Sequence, residues 1–164
     1  INDQDEKVRF NAIVALGNQP KSELIDWSPV VSILKDSKDV GLQQVSIYAL
    51  SNHAVMDAKP LIFSFLTSSE VTLRYAAAIA LISYKDASAI PYLINLIESE
   101  MPEANIAPGQ GLNQQQLVAL KLSVISNIKK VKWEQGVEIL KKLSLSSNSQ
   151  ISTKAREALN ILKK

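Results

Sequence analysis

The chain contains no cysteine. Disulfides, thiolate metal sites and a cysteine nucleophile are therefore excluded, while the redox compartment stays open, because a cysteine-free chain fits reducing and oxidising surroundings alike. Histidine occurs once, as His53, which rules out two-histidine zinc patterns. Arginine is sparse, at Arg9, Arg74 and Arg156 only, although its planar fork is the group best suited to phosphate. No apolar run approaches the roughly 20 residues of a membrane helix, so no membrane insertion is expected. No signal-peptide pattern precedes the first helical segment, and the compartment, cytoplasmic or periplasmic, is not specified. Period-two alternation rich in β-branched and aromatic residues is missing throughout, which argues against strands. Glycine-rich phosphate motifs are missing too. Gly109-Gln110-Gly111-Leu112-Asn113-Gln114 lacks the third glycine of a dinucleotide fingerprint and follows no strand. No serine sits in a nucleophile elbow.

What is present is ordinary for a folded domain. The 164 residues are 46% hydrophobic and 21% charged, with aromatics at only 5%; disorder does not fit such a balance. The apolar content is mostly Leu, Ile, Val and Ala. Net charge is +2, from 18 Lys plus Arg against 16 Asp plus Glu. The lysine excess lies toward the C-terminus, at Lys129, Lys130, Lys132, Lys141, Lys142, Lys163 and Lys164, without the clustered basic face that marks nucleic-acid binding.

Self-similarity organises the chain. Val8 to Leu16, Leu42 to Leu50 and Leu73 to Leu81 share one frame: apolar, polar, two variable, small, two variable, Ala-Leu. A fourth copy runs from Ile151 to Leu159, and a degenerate one from Gln116 to Val124, where Leu120 and Ser123 replace the alanines. Small residues at i, i+3 draw a thin stripe on a helix and let a neighbouring helix approach closely. A second segment follows each of the first three copies, opened by Pro29, Pro60 and Pro91. These prolines are evenly spaced, and proline suits the first helical turn, where its missing N–H would be unpaired anyway. The positions two and five after each proline, Val31 and Leu34, Ile62 and Phe65, Leu93 and Leu96, predict the buried stripe of a short amphipathic helix. Turns rich in Ser, Asp and Asn intervene and supply caps. The pattern predicts about nine helices, near 5–17, 28–36, 40–52, 58–67, 70–84, 88–99, 113–129, 134–144 and 150–163.

The run Asp3-Gln4-Asp5-Glu6-Lys7-Val8-Arg9, followed by Ala12, Ala15, Leu16 and Gly17, resembles the first helix of bacterial HEAT-like repeats of the phycobilin-lyase type. The second-helix pattern of proline with apolar residues at +2 and +5 is similar as well. The resemblance covers nearly the whole chain and is weakest at 100–130; the second copy also departs from it, with Gln43 where Arg9 and Arg74 stand. It implies an all-α fold, an α-α superhelix: a right-handed solenoid of HEAT-like helical hairpins, also described as armadillo-like. It implies that Arg9 and Arg74 knit neighbouring units. A single domain 1–164 is expected, with units at about 1–37, 38–68, 69–99, 112–146 and 147–164 and a loop insertion at 100–111. Because the chain opens on Ile1 inside a repeat, a fragment of a longer protein is expected.

The loop 100–111 is about three times the common connection length and is either a tolerated insertion or a partner-contacting segment. Trp27 and Trp133 stand where the middle units carry Ala58 and Ala89, which predicts extra apolar cover at the outer units. His53, at a helix end, is expected to meet terminal carbonyls. It is followed by Ala54, unlike the His-Glu pairs of HEAT-like iron hydroxylases. Asp3, Asp5 and Glu6 complement the positive end of the first helix.

Function follows by elimination. No catalytic, cofactor-binding or metal-ligating residue is assigned, no cofactor is expected, and the chain is read as not an enzyme. The leading expectation is a non-catalytic scaffold that presents its surface to a protein partner, with no small-molecule substrate. The positions one and four after each proline, Val30 and Ile33, Leu61 and Ser64, Tyr92 and Asn95, are expected to face outward as a neutral stripe. Of these, Leu61, Ser64, Tyr92 and Asn95 are the partner-binding candidates. The alternatives are a lyase-like or chromophore-handling HEAT-repeat protein, and a weak nucleic-acid binder of the HEAT-like glycosylase type. Nucleic acid is disfavoured because counterion release needs cations in a row.

Overall fold

A computed structural model describes residue 1, residues 3–99 and residues 112–162. Among these the chain forms nine α-helices and no strand. They are α1 (Glu6–Gly17), α2 (Ser28–Asp36), α3 (Val40–Asn52), α4 (Lys59–Ser64), α5 (Val71–Ser83), α6 (Ile90–Glu98), α7 (Gln114–Val131), α8 (Val137–Leu143) and α9 (Ser149–Leu162). Two compact units result, Ile1–Tyr84 and Lys85–Lys164.

The caps explain where helices begin. The Asp5 carboxylate accepts from the Lys7 amide and that of Asp39 from the Leu42 amide, pairing donors that a helix start leaves open. Asn113 and Gln116 form a reciprocal capping box at the head of α7. Helix ends use the left-handed region: Ala54, Lys85 and Lys132 have φ of 53°, 52° and 49°. After α3 and α7 this bend lets the next amide, of Val55 or Trp133, return to the carbonyl of Leu50 or Ile128. Arg9 and Arg74 serve the turns in matching fashion. Each guanidinium donates to two carbonyls just before its own helix, Asp3 and Gln4 in one case, Ser68 and Ser69 in the other. Through these bonds each arginine pins the lead into its own unit.

In the first unit α3 packs between α1 and α5, with α2 against α3 and α4 against α5. Each second helix thus leans on the first helix of the following hairpin. The small-residue stripe sets the spacing: a Cβ on Gly17 would stand 3.0 Å from Ala49. The same edge carries a polar ladder. The Asn52 side-chain amide donates to the Gly17 carbonyl at 2.6 Å, and His53 Nε2 lies 3.3 Å from that oxygen. One hairpin on, the aligned Tyr84 hydroxyl donates to the carbonyls of Leu50 and Val55 at 3.3 and 3.0 Å. Burial pushes the Tyr84 hydroxyl's pKa well above the usual tyrosine value. In the second unit α7 packs against α9, α8 against α9, and α6 against α7 and α8.

One helix face departs from expectation. In α2 the fully buried residues are Val30 and Leu34, with Val31 half-buried; Val30 is therefore core and not part of an outward stripe. In α4 and α6 the buried sets are Ala58, Ile62 and Leu66, and Ala89, Leu93, Leu96 and Ile97. There a 3-10 turn (Met56–Ala58, Ala87–Ala89) precedes the helix and inserts its alanine. At the matching place α2 has Trp27, whose ring is too large for an alanine's space and lies half-buried against His53, with centroids 4.5 Å apart. The helix is turned by about one residue as a result. Trp133, expected at the same position, is instead buried just before its 3-10 turn (Glu134–Gly136), where Val55 and Asp86 stand in the other pairs, and Gly136 takes the place of the alanine. Phe65 is also half-buried, because α4 tightens into a 3-10 turn at Phe65–Thr67 that carries Leu66 inward instead.

Candidate functional site

The four residues expected at a partner surface fall in two pairs. Leu61 and Ser64 lie on α4 in the first unit, half-buried and exposed respectively. The Ser64 hydroxyl is turned back on its own helix, donating to the Leu61 carbonyl at 2.6 Å. Tyr92 and Asn95 lie on α6 in the second unit, again half-buried and exposed. Each pair is three residues apart and so shares one face of its helix. The loop 100–111 lies outside the described residues, as do Lys163 and Lys164.

Within the second unit the helices leave a cleft of about 600 Å³. The end of α6 contributes Ile97 and Glu98, and α7 contributes Gln114, Leu117, Val118 and Lys121. Lys142 and Leu143 of α8, the turn 145–148 and Ile151 of α9 complete the wall. Its apolar base is Ile97, Leu117, Leu143 and Ile151, all buried. The polar groups above that base belong to helix ends. Lys121 Nζ donates to the Ser99 carbonyl at 2.7 Å, neutralising the exposed carbonyl end of α6. Lys142 Nζ meets Glu98 Oε1 at 2.6 Å, bridging α8 and α6. The Asn148 side chain accepts from the amides of Gln150 and Ile151, so it caps α9.

Such a space is within the size range of small-molecule sites, with a lining more polar than is usual for them. Sequence reasoning did not find it. Lys142 figures there only as part of a C-terminal lysine excess, and its partner lies 44 residues away. The nearest sequence signal is that α7, which forms one wall, lies in the degenerate fourth copy; Leu120 and Ser123, the residues that replace the alanines, do not themselves line the cleft. Among the described residues no group of three or more His, Asp or Glu is placed to hold a metal ion, and no helix is long and apolar enough to cross a membrane.

Comparison with known proteins fits this architecture. Residues 27–105 match a family model described as HEAT repeats. No curated protein matches the chain in sequence. Among solved structures, the complex of CpcE and CpcF of phycocyanin lyase from Nostoc sp. PCC7120 is similar in fold, with a TM-score of 0.64 and 19% identity. The match covers 98% of this chain and 61% of that one, so the chain spans about three fifths of its structural relative. At that identity the likeness shows the fold, an all-α α-α superhelix.

It also corrects the expectation of a non-catalytic protein–protein scaffold, since a solved structure that this fold matches is that of a lyase complex. The scaffold reading rested on the absence of catalytic motifs along the sequence. A solenoid builds its clefts from residues far apart in the chain, so motif absence carried too much weight. In its repeats, its helix pairs and its fold, the chain is similar to HEAT-repeat proteins, and residues 27–105 match the model of those repeats.

Proposed function

We propose that the chain is a lyase-like, chromophore-handling HEAT-repeat component that works together with a second protein chain. The observation that carries this reading is the fold likeness to a two-chain phycocyanin lyase complex over 98% of the chain. The cleft of about 600 Å³ supports it, because it offers an apolar base and polar rim of small-molecule size. In this reading the chain holds and orients the chromophore, and the companion chain completes the reaction site. The outward pairs Leu61 with Ser64 and Tyr92 with Asn95 are candidates for contacts to that companion; tyrosine brings large area with few rotors.

Reconstitution tests the proposal. The chain is expressed alone and with a companion HEAT-repeat chain, then mixed with a phycocyanin-type acceptor and free chromophore. Pigment that stays attached after denaturation is followed by absorbance. The expected result is attachment or removal of pigment that requires this chain. Equal pigment with and without the chain, in every pairing, would overturn the reading.

A further inference from the structure

We infer that the α6–α9 cleft binds an amphipathic carboxylate, whose carboxyl group replaces Glu98 on Lys142. The inference deepens the lyase-like reading by naming a ligand class for the cleft, and its binding test needs no lyase assay. Three features of the second unit support it.

First, the cleft is two-sided in chemistry. Ile97, Leu117, Leu143 and Ile151 line its base, while Glu98, Lys121, Lys142 and Asn148 stand around the opening. A wholly polar ligand would leave the base unmatched, and a wholly apolar one would strip water from the rim groups without pairing them.

Second, the rim holds one exchangeable ion pair. Lys142 and Glu98 are 2.6 Å apart with side chains 52% and 57% exposed. A pair so exposed contributes only about 0–1 kcal/mol, so a competing carboxylate displaces Glu98 at little cost. Displaced, Glu98 reaches water directly. Lys121 does not play this part, because its ammonium is committed to the Ser99 carbonyl at the end of α6.

Third, Asn148, the cap of α9, and Ile151 in its first turn line the same opening. They stand beside the N-terminus of a 14-residue helix, whose Gln150 and Ile151 amides are already held by Asn148. Glu98 stands as the intramolecular substitute for the ligand's carboxylate.

The probe is cis-parinarate, a fluorescent long-chain carboxylate, with its methyl ester as the uncharged control, titrated into the full chain. Three results are expected: saturable binding at one site, loss of affinity in Lys142→Gln, and gain of affinity in Glu98→Gln. The loss should be about fivefold, the equivalent of one exposed ion pair, and the gain about threefold. The ester should bind more weakly and respond to neither variant. Far-ultraviolet circular dichroism verifies that both variants keep their helices, as expected for half-exposed side chains. Absent saturable binding, equal affinity for acid and ester, or an unchanged affinity in Lys142→Gln would each overturn the inference. Binding through Lys142 in a chain that fails reconstitution would leave this inference standing and remove the lyase-like reading. Successful reconstitution without parinarate binding would do the reverse.

Discussion

The two compact units are made of the same kind of helix pair, yet they treat space differently. In the first, the alanine frame is complete in three consecutive copies, and α1 and α3 meet so closely that Gly17 leaves no room for a Cβ. A hollow in this unit, lined by Glu6, Lys7, Phe10, Asn11, Asp39 and Leu42, is about 360 Å³. In the second unit the frame degenerates along α7, and a cleft of about 600 Å³ opens between helix ends. Small residues at fixed spacing make helices close on one another. The cleft of the second unit is walled instead by helix-end residues, among them Gln114, Leu117, Val118 and Lys121 of α7, and carries a rim of charged groups.

The comparison breaks most severely in the core of the first unit. Leu50→Ala removes a fully buried side chain and is expected to cost about 2–5 kcal/mol by the usual cavity penalty, seen as a lower urea midpoint. Gly17→Val tests the close approach itself. Its methyls have nowhere to go beside Ala49, so a loss of about 1–3 kcal/mol from overpacking is expected. A Gly17→Val protein as stable as the parent would mean that the stripe does not set the helix spacing.

Tyr84 probes the ladder. Tyr84→Phe removes its donor from the Leu50 and Val55 carbonyls, at an expected cost of about 1 kcal/mol. The pH dependence gives a sharper sign. Burial raises the native pKa of this hydroxyl. Above the unfolded tyrosine value of about 10, the unfolded chain loses the proton while the native one keeps it. Stability should therefore be intact below that pH and fall as pH rises through it, with a shallower fall in Tyr84→Phe. Alkaline unfolding curves of the two proteins check this.

Ser46 gives a smaller effect of opposite sign. Its hydroxyl is fully buried on α3 and has no hydrogen-bond partner, at a frame position where the other close copies carry alanine. Ser46→Ala is expected to be neutral or to stabilise by up to about 1 kcal/mol, read from the thermal midpoint. The least effect on stability belongs to the cleft of the second unit. Lys142→Gln should shift folding free energy by less than about 1 kcal/mol, because the pair it breaks is solvent-screened. If that substitution unfolded the unit, the rim would be structural and the contrast between the units would fail.

Much of the fold was legible. The expected spans 28–36 and 40–52 coincide with α2 and α3, since prolines, capping Asp and Ser residues and the alanine frame all act within a turn or two of chain. The expected span 58–67 was right in extent but not in kind, for α4 is α-helical only over Lys59–Ser64, between 3-10 turns. The buried face of α2 was misread because one rule, positions two and five after the proline, was applied alike to all three second helices. Trp27 changes the lead into the helix, an effect that depends on what the indole meets in space. The cleft was not legible at all. Glu98 and Lys142 are remote in sequence, and neither belongs to a motif.

By itself, the amino-acid sequence determined where helices start and stop, that they come in pairs, and which residues are small enough to let them touch. Those properties follow from contacts one to four residues apart, which periodicity records directly. Only the tertiary structure decided which way α2 turns and that Lys142 meets Glu98. It alone decided that four apolar side chains from four helices share one cleft. Each of these depends on how whole helices sit against one another, and that arises from the summed packing of many residues.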